Sequence, residues 1–258
     1  MPETATPLIT MRGITKRFGG VTALEEVDLD LHAGEVLAIV GDNGAGKSTL
    51  IKILTGVFRP TEGNITLAGQ PLVMNSHSDA IDNGIDAVYQ TLALADHLTP
   101  AANMFLGSEL TKRFLGVDFL DNKLMRSEAQ RTLQERLGVT LRSMDVPTDS
   151  LSGGQRQAIA IARAVYHSDL KVLVMDEPTA ALGPRETART LKLIEAVREQ
   201  GLGVIVISHS LDDVFAVSDR IQIMRRGRRA GVVKTSESDI TSVLGIMVGA
   251  SASADQVA

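Results

Sequence analysis

The chain has 258 residues, of which 44% are hydrophobic, and it carries a formal net charge of −5. A chain of this length and composition can bury a substantial core, which excludes a disordered or fibrous protein. The acidic balance lacks the basic excess that neutralises phosphates, so we expect no nucleic-acid partner. Because there is no cysteine, disulfides and thiolate metal sites are excluded, and the five histidines are scattered without metal-ligand spacing.

The sequence was also searched for targeting and membrane-spanning signals. Residues 1–7 do not form a basic stretch followed by an apolar run, as secretory signals do, so we expect a cytoplasmic location. The longest apolar runs, such as residues 172–175 and 204–207, are far shorter than the ~20 residues that a helix needs to cross a bilayer. If the protein serves a membrane process, another polypeptide must form the pore.

The first third of the chain has the patterns of two kinds of strand. Polar and apolar residues alternate over residues 27–31, which predicts a half-buried antiparallel strand. Residues 36–40 form a continuous apolar run that enters a glycine-rich turn and then a helix from about Lys47, and similar runs recur at 172–175 and 204–207. The sequence therefore predicts an α/β fold in which an antiparallel β layer precedes a parallel sheet covered on both faces.

The middle of the chain has a different pattern. Between about Leu92 and Ser168 the buried-strand signal disappears, whereas residues 123–137 and 155–165 have helical spacing, which predicts an inserted helical subdomain. After Ile207 the pattern resumes, and it predicts a helix at 211–216, two strands around the turn at 225–229 and a last helix near 239–248. The expected organisation is an N-terminal tail (1–7), the first part of the core with the β layer (8–91), the helical subdomain (92–168), the second part of the core (169–250) and a frayed C-terminal tail (251–258).

A phosphate-binding loop follows the buried run at 36–40. It fits the pattern G-x-x-x-x-G-K-[ST] with Gly41, Asp42, Asn43, Gly44, Ala45, Gly46, Lys47, Ser48 and Thr49. In such a loop the backbone N–H groups and the helix N-terminus surround phosphate oxygens, Lys47 reaches the β and γ phosphates, and Ser48 binds Mg²⁺. The alternative is a glycine-rich turn between strand and helix that binds no ligand. The Lys-Ser pair and the position between strand and helix favour ATP binding.

Two acids end the apolar run at 172–175. Asp176 and Glu177 lie at the carboxyl end of a predicted strand, which is the edge where open α/β sheets bind ligands. We expect Asp176 to hold Mg²⁺ and Glu177 to orient or deprotonate the attacking water. Alone, such a pair is usually a solvated strand end or a helix cap. Together with the loop at 41–49 it indicates nucleotide hydrolysis, although kinases, small GTPases, helicases and recombinases share this combination.

A third motif distinguishes among these classes. It consists of Leu151, Ser152, Gly153, Gly154 and Gln155 and precedes a predicted helix. It could be a loop that caps an amphipathic helix. However, it also reproduces the signature sequence of the ABC ATPases, and the resemblance extends from about Ile9 to Gly249. The resemblance implies a P-loop NTPase (RecA-like) fold and contact between the signature loop and the nucleotide of a second copy.

The same resemblance implies roles for isolated residues. Phe18 resembles the aromatic residue that stacks on adenine, Gln90 the residue that contacts Mg²⁺ and the attacking water, and His209 the histidine that meets the γ-phosphate. Two positions depart from the family pattern. Gly183 stands where many members have an aspartate that links the two subunits, which puts that contact in doubt. Asp42 replaces a more familiar Glu or Pro in a loop that works through its backbone.

Within this family, the sequence most resembles the ATPases of bacterial sugar importers of the ribose, xylose and fructose type. The similar segments are residues 41–47, 88–99, 103–107, 208–220 and 225–229. This implies a homodimer that closes over Mg²⁺ and ATP, bound to transmembrane permease subunits at the cytoplasmic side of the inner membrane. An extracytoplasmic sugar-binding protein would be an indirect partner. The sequence does not identify the sugar.

Two alternatives were weighed. Soluble ABC ATPases of DNA maintenance carry long coiled-coil insertions and those of translation carry two ATPase units, and neither feature is present in this sequence. A P-loop kinase of small molecules would not explain residues 151–155. The arginine-rich residues 225–229 could form a lipid or nucleic-acid patch. A charged turn between two edge strands is favoured, because charge commonly protects sheet edges.

Overall fold

A computed structural model describes residues 6–114, 116–166 and 169–250. The predicted C-terminal tail and most of the N-terminal tail lie outside the described residues, as does the boundary at Ser168. The strands are β1 (Ile9–Phe18), β2 (Val21–Leu31), β3 (Val36–Val40), β4 (Glu62–Leu67), β5 (Gln70–Pro71), β6 (Ile85–Val88), β7 (Thr111–Phe114), β8 (Val117–Leu120), β9 (Val172–Asp176), β10 (Gly203–Ile207), β11 (Arg220–Arg225) and β12 (Arg228–Lys234). The helices are α1 (Lys47–Leu54), α2 (His77–Asp82), α3 (Pro100–Met104), α4 (Asn122–Arg131), α5 (Gly153–Tyr166), α6 (Pro184–Glu199), α7 (Leu211–Val217) and α8 (Ile240–Val248).

The central sheet has the strand order β12-β11-β3-β10-β9-β6. Its strands are parallel from β11 to β6, and β12 alone among them runs antiparallel to its neighbour. Every residue of β3 and β10 is buried, which is why these strands have continuous apolar sequences. The predicted α/β fold is confirmed. The loops that follow β3, β9 and β10 meet at one edge because the carboxyl ends of parallel strands lie side by side.

The N-terminal β layer is a second, antiparallel sheet with the order β2-β1-β4-β5. Val27, Leu29 and Leu31 are buried while the residues between them are partly exposed, as the alternating sequence predicts. Their side chains join those of α1 and of one face of the central sheet in a shared apolar cluster. This packing holds α1 and the loop before it against both sheets.

The other face of the central sheet is covered by α3 to α6 and the residues that connect them. The helix predicted at 155–165 corresponds to α5. The helix predicted at 123–137 is α4 followed by a π-helical turn, Thr132–Arg136. An antiparallel hairpin of β7 and β8 was not predicted, because all of its described strand residues are exposed and carry no buried-strand signal.

The C-terminal elements require one correction. Residues 225–229 were expected to form a turn between two edge strands, but β11 lies inside the sheet between β3 and β12, so β12 is the edge. The turn itself is shorter than expected, since Arg225 pairs with Arg228 and leaves Arg226 and Gly227 between the strands. Among the described residues, no helix is long and apolar enough to cross a membrane.

Candidate functional site

The loop between β3 and α1 is forced into its shape by its neighbours. Gly41 has a φ of 148° and Gly46 a φ of 101°, values that favour glycine. A Cβ atom on Gly41 would lie 2.2 Å from the carbonyl oxygen of Met224, and one on Gly46 would lie 2.6 Å from Leu24 Cδ2. By contrast, nothing lies within 4 Å of a Cβ on Gly44. The loop is therefore packed on its outer side and open on its inner side, as a phosphate-binding loop requires.

Lys47 begins α1 and points its ammonium group back into this loop. Its Nζ donates hydrogen bonds to the carbonyl oxygens of Gly41, at 2.6 Å, and Asp42, at 3.1 Å. Burial lowers the pKa of Lys47, and the negative charges of Glu177, Asp42 and Asp176 oppose that shift. The loop thus holds a partly desolvated cation at its open side, where it can bind an anionic ligand strongly.

The two acids at the end of β9 are partly buried. Asp176 is the last residue of β9, and the N–H of Glu177 donates to the carbonyl oxygen of Ile207 at 2.9 Å. Burial raises the pKa of both carboxyl groups; Lys47 opposes the shift at Asp176 and His209 opposes it at Glu177. A carboxylate with a raised pKa is a better proton acceptor, so Glu177 has the property that a general base needs.

His209 lies beside Glu177 and donates a hydrogen bond to only one of its two carboxylate oxygens. Nε2 of His209 is 3.0 Å from Oε1 of Glu177, and the backbone N–H of His209 approaches Oε2 at 3.4 Å. Oε1 is buried, yet it accepts no hydrogen bond in the part of the chain that the structure describes, because the short distance to Nε2 lacks hydrogen-bond geometry. This leaves one buried carboxylate oxygen of Glu177 without a hydrogen bond, which disfavours the charged form of the group.

Removal of the partly buried negative charge of Glu177 should raise the free energy of unfolding. The folded pKa of Glu177 is raised above its unfolded value, so the folded state holds the carboxylate less favourably than the unfolded chain does at neutral pH and above. Glu177→Gln is therefore expected to raise the thermal midpoint of the nucleotide-free protein, by about 2–4 °C for each kcal/mol gained. The gain should shrink as the pH falls through the folded pKa of the carboxyl group toward its ordinary value. Calorimetry at pH 8 and pH 5, with the exposed Glu199→Gln as control, tests this; a lowered midpoint at pH 8 would contradict it.

Residues 43–49 of the predicted loop and both acids line one cavity of about 580 Å³, together with Gln90 and His209, whereas Gly41 and Asp42 do not line it. That volume lies within the usual range for small-molecule sites. Gln90 is exposed and follows Tyr89, whose hydroxyl is 3.2 Å from that of Thr55 at the end of α1. An adjoining cavity of about 370 Å³ is also lined by Gln90, Glu177 and His209. The structure thus brings Lys47, Ser48, Gln90, Asp176, Glu177 and His209 to the same place.

Phe18 does not line this cavity. Its ring packs edge-on against Phe58 with centroids 5.3 Å apart, and Nζ of Lys16 is 5.1 Å from its centroid. The ring is 43% exposed, so a face remains accessible, but its role in adenine stacking stays a prediction. Residues that sequence analysis missed line the cavity instead: Val21, Thr22, Ala23, Ile207, Arg226 and Gly227. No local sequence signal marks them, because they reach the cavity only through the pairing of distant strands.

The signature loop lies apart from the loop at 41–49. It lines a different cavity, of about 720 Å³, with residues of α6 and of the segment after α4. Ser152 and Gln155 cap α5 reciprocally: Ser152 N–H donates to Oε1 of Gln155 at 3.0 Å, and Gln155 N–H donates to Oγ of Ser152 at 3.4 Å. The capping interpretation is therefore correct as local structure. It leaves the N-terminus of α5 separate from the acids and from Lys47 within one chain.

The donors around the cavity fit a weakly held divalent cation. Among the described residues, no group of three or more His, Asp or Glu side chains is arranged to hold a metal ion alone. Ser48, Gln90 and Asp176 offer oxygen donors at one cavity. Mg²⁺ is usually held in this way, by one or two carboxylates together with substrate phosphates and water.

The sequence is similar to a known family of proteins over most of its length. A family model described as ABC transporter matches residues 24–180, which is more than half of the chain. The chain belongs to the ABC transporter family. The fructose import ATP-binding protein of Rhizobium meliloti is 46% identical to this ABC protein over 247 residues, 95% of each chain. The xylose/arabinose import ATP-binding protein of Sulfolobus acidocaldarius is 40% identical over 240 residues, 93% of each.

Solved structures agree with this assignment. An ATP-binding cassette in a dimeric post-hydrolysis state, bound to ADP and Pi, is 26% identical with a TM-score of 0.71; the match covers 88% of this chain and 98% of that one. The predicted resemblance and the P-loop fold are confirmed. This chain is an ATP-binding, ABC-type ATPase. The roles of single residues rest on the geometry described above.

Proposed function

We propose that this chain is the ATP-hydrolysing subunit of a bacterial ABC importer that takes up a pentose or hexose sugar. One observation carries the proposal: Lys47, both acids and His209 line a single cavity, whereas residues 151–155 lie at another. The nucleotide site thus lies on one side of the chain. The N-terminus of α5 lies at another cavity, where it is available to a second molecule.

The chemistry follows from the groups at the cavity. The backbone N–H groups of residues 41–49 and the ammonium group of Lys47 bind the β and γ phosphates. The carboxylate of Glu177 takes a proton from the attacking water as the water oxygen bonds to the γ-phosphorus and the bond from that phosphorus to the leaving ADP oxygen breaks, while Gln90 and His209 orient the water and the γ-phosphate. Ser48, Gln90 and Asp176 would hold Mg²⁺, which would neutralise charge at the phosphates when bound.

A second copy of the chain completes the site in this proposal. Two copies lie head to tail, so that the N-terminus of α5 in each faces the γ-phosphate bound by the other. Leu151, Ser152, Gly153, Gly154 and Gln155 then contact that nucleotide in trans, with the partial positive charge of the helix end stabilising it. The similar cassette that was solved as a dimer with ADP and Pi supports this arrangement.

The importer assignment rests on the printed functions of the relatives, which are fructose import and xylose/arabinose import. The remaining partners would be transmembrane permease subunits, which place the chain at the cytoplasmic side of the inner membrane, and an extracytoplasmic sugar-binding protein. Residues 92–168 would move relative to the core segments 8–91 and 169–250 about Gln90, and a groove beside them would receive a permease helix. The relatives' functions do not favour a soluble ATPase of DNA maintenance or translation.

Ser152→Arg is expected to leave ATP binding to the monomer nearly intact and to eliminate hydrolysis, since the added side chain obstructs the interface with the other copy. This variant is preferable to Gly153→Asp, because a Cβ on Gly153 would already lie 2.6 Å from Leu182 Cδ2 in the same chain. Thr140→Arg, an exposed residue at the same cavity but outside the motif, is the matched control. ATP binding and turnover are measured on each.

Mixing the variants distinguishes trans from cis action. A heterodimer of Ser152→Arg and Lys47→Ala contains one intact composite site, so the mixture should regain turnover that neither variant has alone. Normal hydrolysis by Ser152→Arg alone would show that residues 151–155 do not serve the partner's nucleotide. Purification with the native membrane partners, followed by identification of the ligand of the binding protein, would establish whether a sugar is imported.

A further inference from the structure

The turn between β11 and β12 contains an arginine that its backbone does not favour. Arg226 and Gly227 have φ values of 49° and 77°, so both central residues of this two-residue hairpin turn are left-handed. Such turns prefer Asn, Asp or Gly at the first position, because other side chains are strained there. Arginine at 226 therefore costs local stability, which directs attention to what its side chain does.

Backbone contacts hold the turn between β11 and β12 against the 580 Å³ cavity. The N–H of Gly227 donates to the carbonyl oxygen of Ala45 at 3.1 Å, and the N–H of Glu25 donates to the carbonyl oxygen of Gly227 at 2.8 Å. A Cβ on Gly227 would lie 2.8 Å from the carbonyl oxygen of Ala23. These contacts seat the turn between the phosphate-binding loop and the start of β2. They fix Arg226 in the wall of the 580 Å³ cavity, on the side lined by Val21 to Ala23.

The neighbouring arginines have partners, whereas Arg226 has none among the described residues. Arg228 forms ion pairs with Glu25 at 2.5 Å and with Glu26 at 3.7 Å. The guanidinium group of Arg225 lies against Gly249, and Arg229 has an interaction of its own. Within residues 6–114, 116–166 and 169–250, Arg226 forms neither a hydrogen bond nor an ion pair. Its side chain borders both the 580 Å³ cavity and a smaller one of about 330 Å³, so a cation without a partner in the described part of the chain borders the nucleotide site.

We propose that Arg226 is a nucleotide-binding residue that contacts the α-phosphate and ribose of the bound nucleotide. The inference rests on the proposed function of the cavity. Glu177 and His209 mark the end where the γ-phosphate reacts. Arg226 precedes Gly227, which packs against Ala23 and donates to the carbonyl oxygen of Ala45. A guanidinium group offers several N–H donors that match phosphate oxygens and sugar hydroxyls.

Arg226→Asn should lower nucleotide affinity without lowering the temperature at which the protein unfolds. Arg226→Asn creates the Asn-Gly pair that this turn prefers, so the nucleotide-free protein should unfold at the same temperature as wild type or above it. Nucleotide binding should nevertheless weaken, because a charge-assisted contact is lost. Titration calorimetry with Mg-ATP and with Mg-ADP should show a dissociation constant raised about tenfold for both nucleotides. Arg226→Lys, which keeps the charge but not the fork of donors, should fall between the two.

Arg228→Asn is the matched control, since it makes the same change two residues away and does not border the cavity. It should bind both nucleotides like wild type. If wild type binds no ATP, the proposed function fails rather than this inference. If wild type binds ATP and Arg226→Asn binds equally well, Arg226 is not a nucleotide contact. Equal losses of nucleotide affinity in Arg226→Asn and Arg228→Asn would indicate a long-range charge effect and overturn the proposed contact. A loss of affinity for ATP but not for ADP would show that Arg226 does not contact the α-phosphate and ribose, which both nucleotides share.

Discussion

Glu177→Gln is expected to slow ATP turnover about a hundred- to ten-thousand-fold, the range for loss of a general base. Glutamine keeps the shape of the side chain but removes the negative charge and the ability to take a proton. Mg-ATP should still bind, because Lys47, Ser48 and Asp176 are unchanged. Turnover is measured against wild type and against Glu199→Gln, an exposed carboxyl at the end of α6 whose removal should leave the rate unaltered.

The same variant should trap the closed dimer. With hydrolysis blocked, the γ-phosphate remains between Lys47 of one copy and the α5 N-terminus of the other. Size-exclusion chromatography with light scattering should show a stable dimer with Mg-ATP and monomers with Mg-ADP, which lacks the γ-phosphate. Wild-type turnover would disprove the role assigned to Glu177. An inactive variant that stays monomeric in saturating Mg-ATP would instead contradict the homodimer and favour a different partner ATPase.

The core of the fold was predictable because its strands are buried on both faces. Residues 36–40, 172–175 and 204–207 are apolar without interruption, and they became β3, β9 and β10. The glycine pattern between β3 and α1 was equally informative, since the packing around Gly41 and Gly46 leaves no room for a side chain. In both cases a physical requirement acts on consecutive residues, so it leaves a pattern that can be recognised in the sequence.

The parts that escaped prediction depend on contacts between distant residues or on exposed surface. The β7–β8 hairpin has no buried face, so its sequence resembles a loop. Arg226 borders the nucleotide cavity only because β11 pairs with β3, which carries the hairpin turn to the phosphate-binding loop. The sequence around residue 226 favoured a charged turn over a lipid or nucleic-acid patch, and it did not indicate a nucleotide contact. The position of Phe18 against Phe58 likewise follows from packing between segments far apart in the chain.

Lys47→Ala is expected to abolish ATP turnover, because the charge-assisted contacts of its ammonium group with the β and γ phosphates have no substitute. Unfolding should not be the cause. Lys47 is buried at a cost that lowers its pKa, and its hydrogen bonds go to the backbone of Gly41 and Asp42, not to an acid that would be left without its only partner. The thermal midpoint without nucleotide should therefore stay close to that of wild type.

The matched control is Lys52→Ala, on the same helix and exposed, with its ammonium 5.7 Å from the ring centroid of Phe58. It removes the same charge one turn away from the loop and should retain turnover. Stabilisation by Mg-ATP gives a second measurement: a ligand that binds the folded state raises the midpoint as its affinity and concentration increase. Lys47→Ala should lose most of that rise and Lys52→Ala should keep it. Wild-type turnover in Lys47→Ala would mean that residues 41–49 do not hold the phosphates, since no other cation in the described part of the chain lies inside that loop.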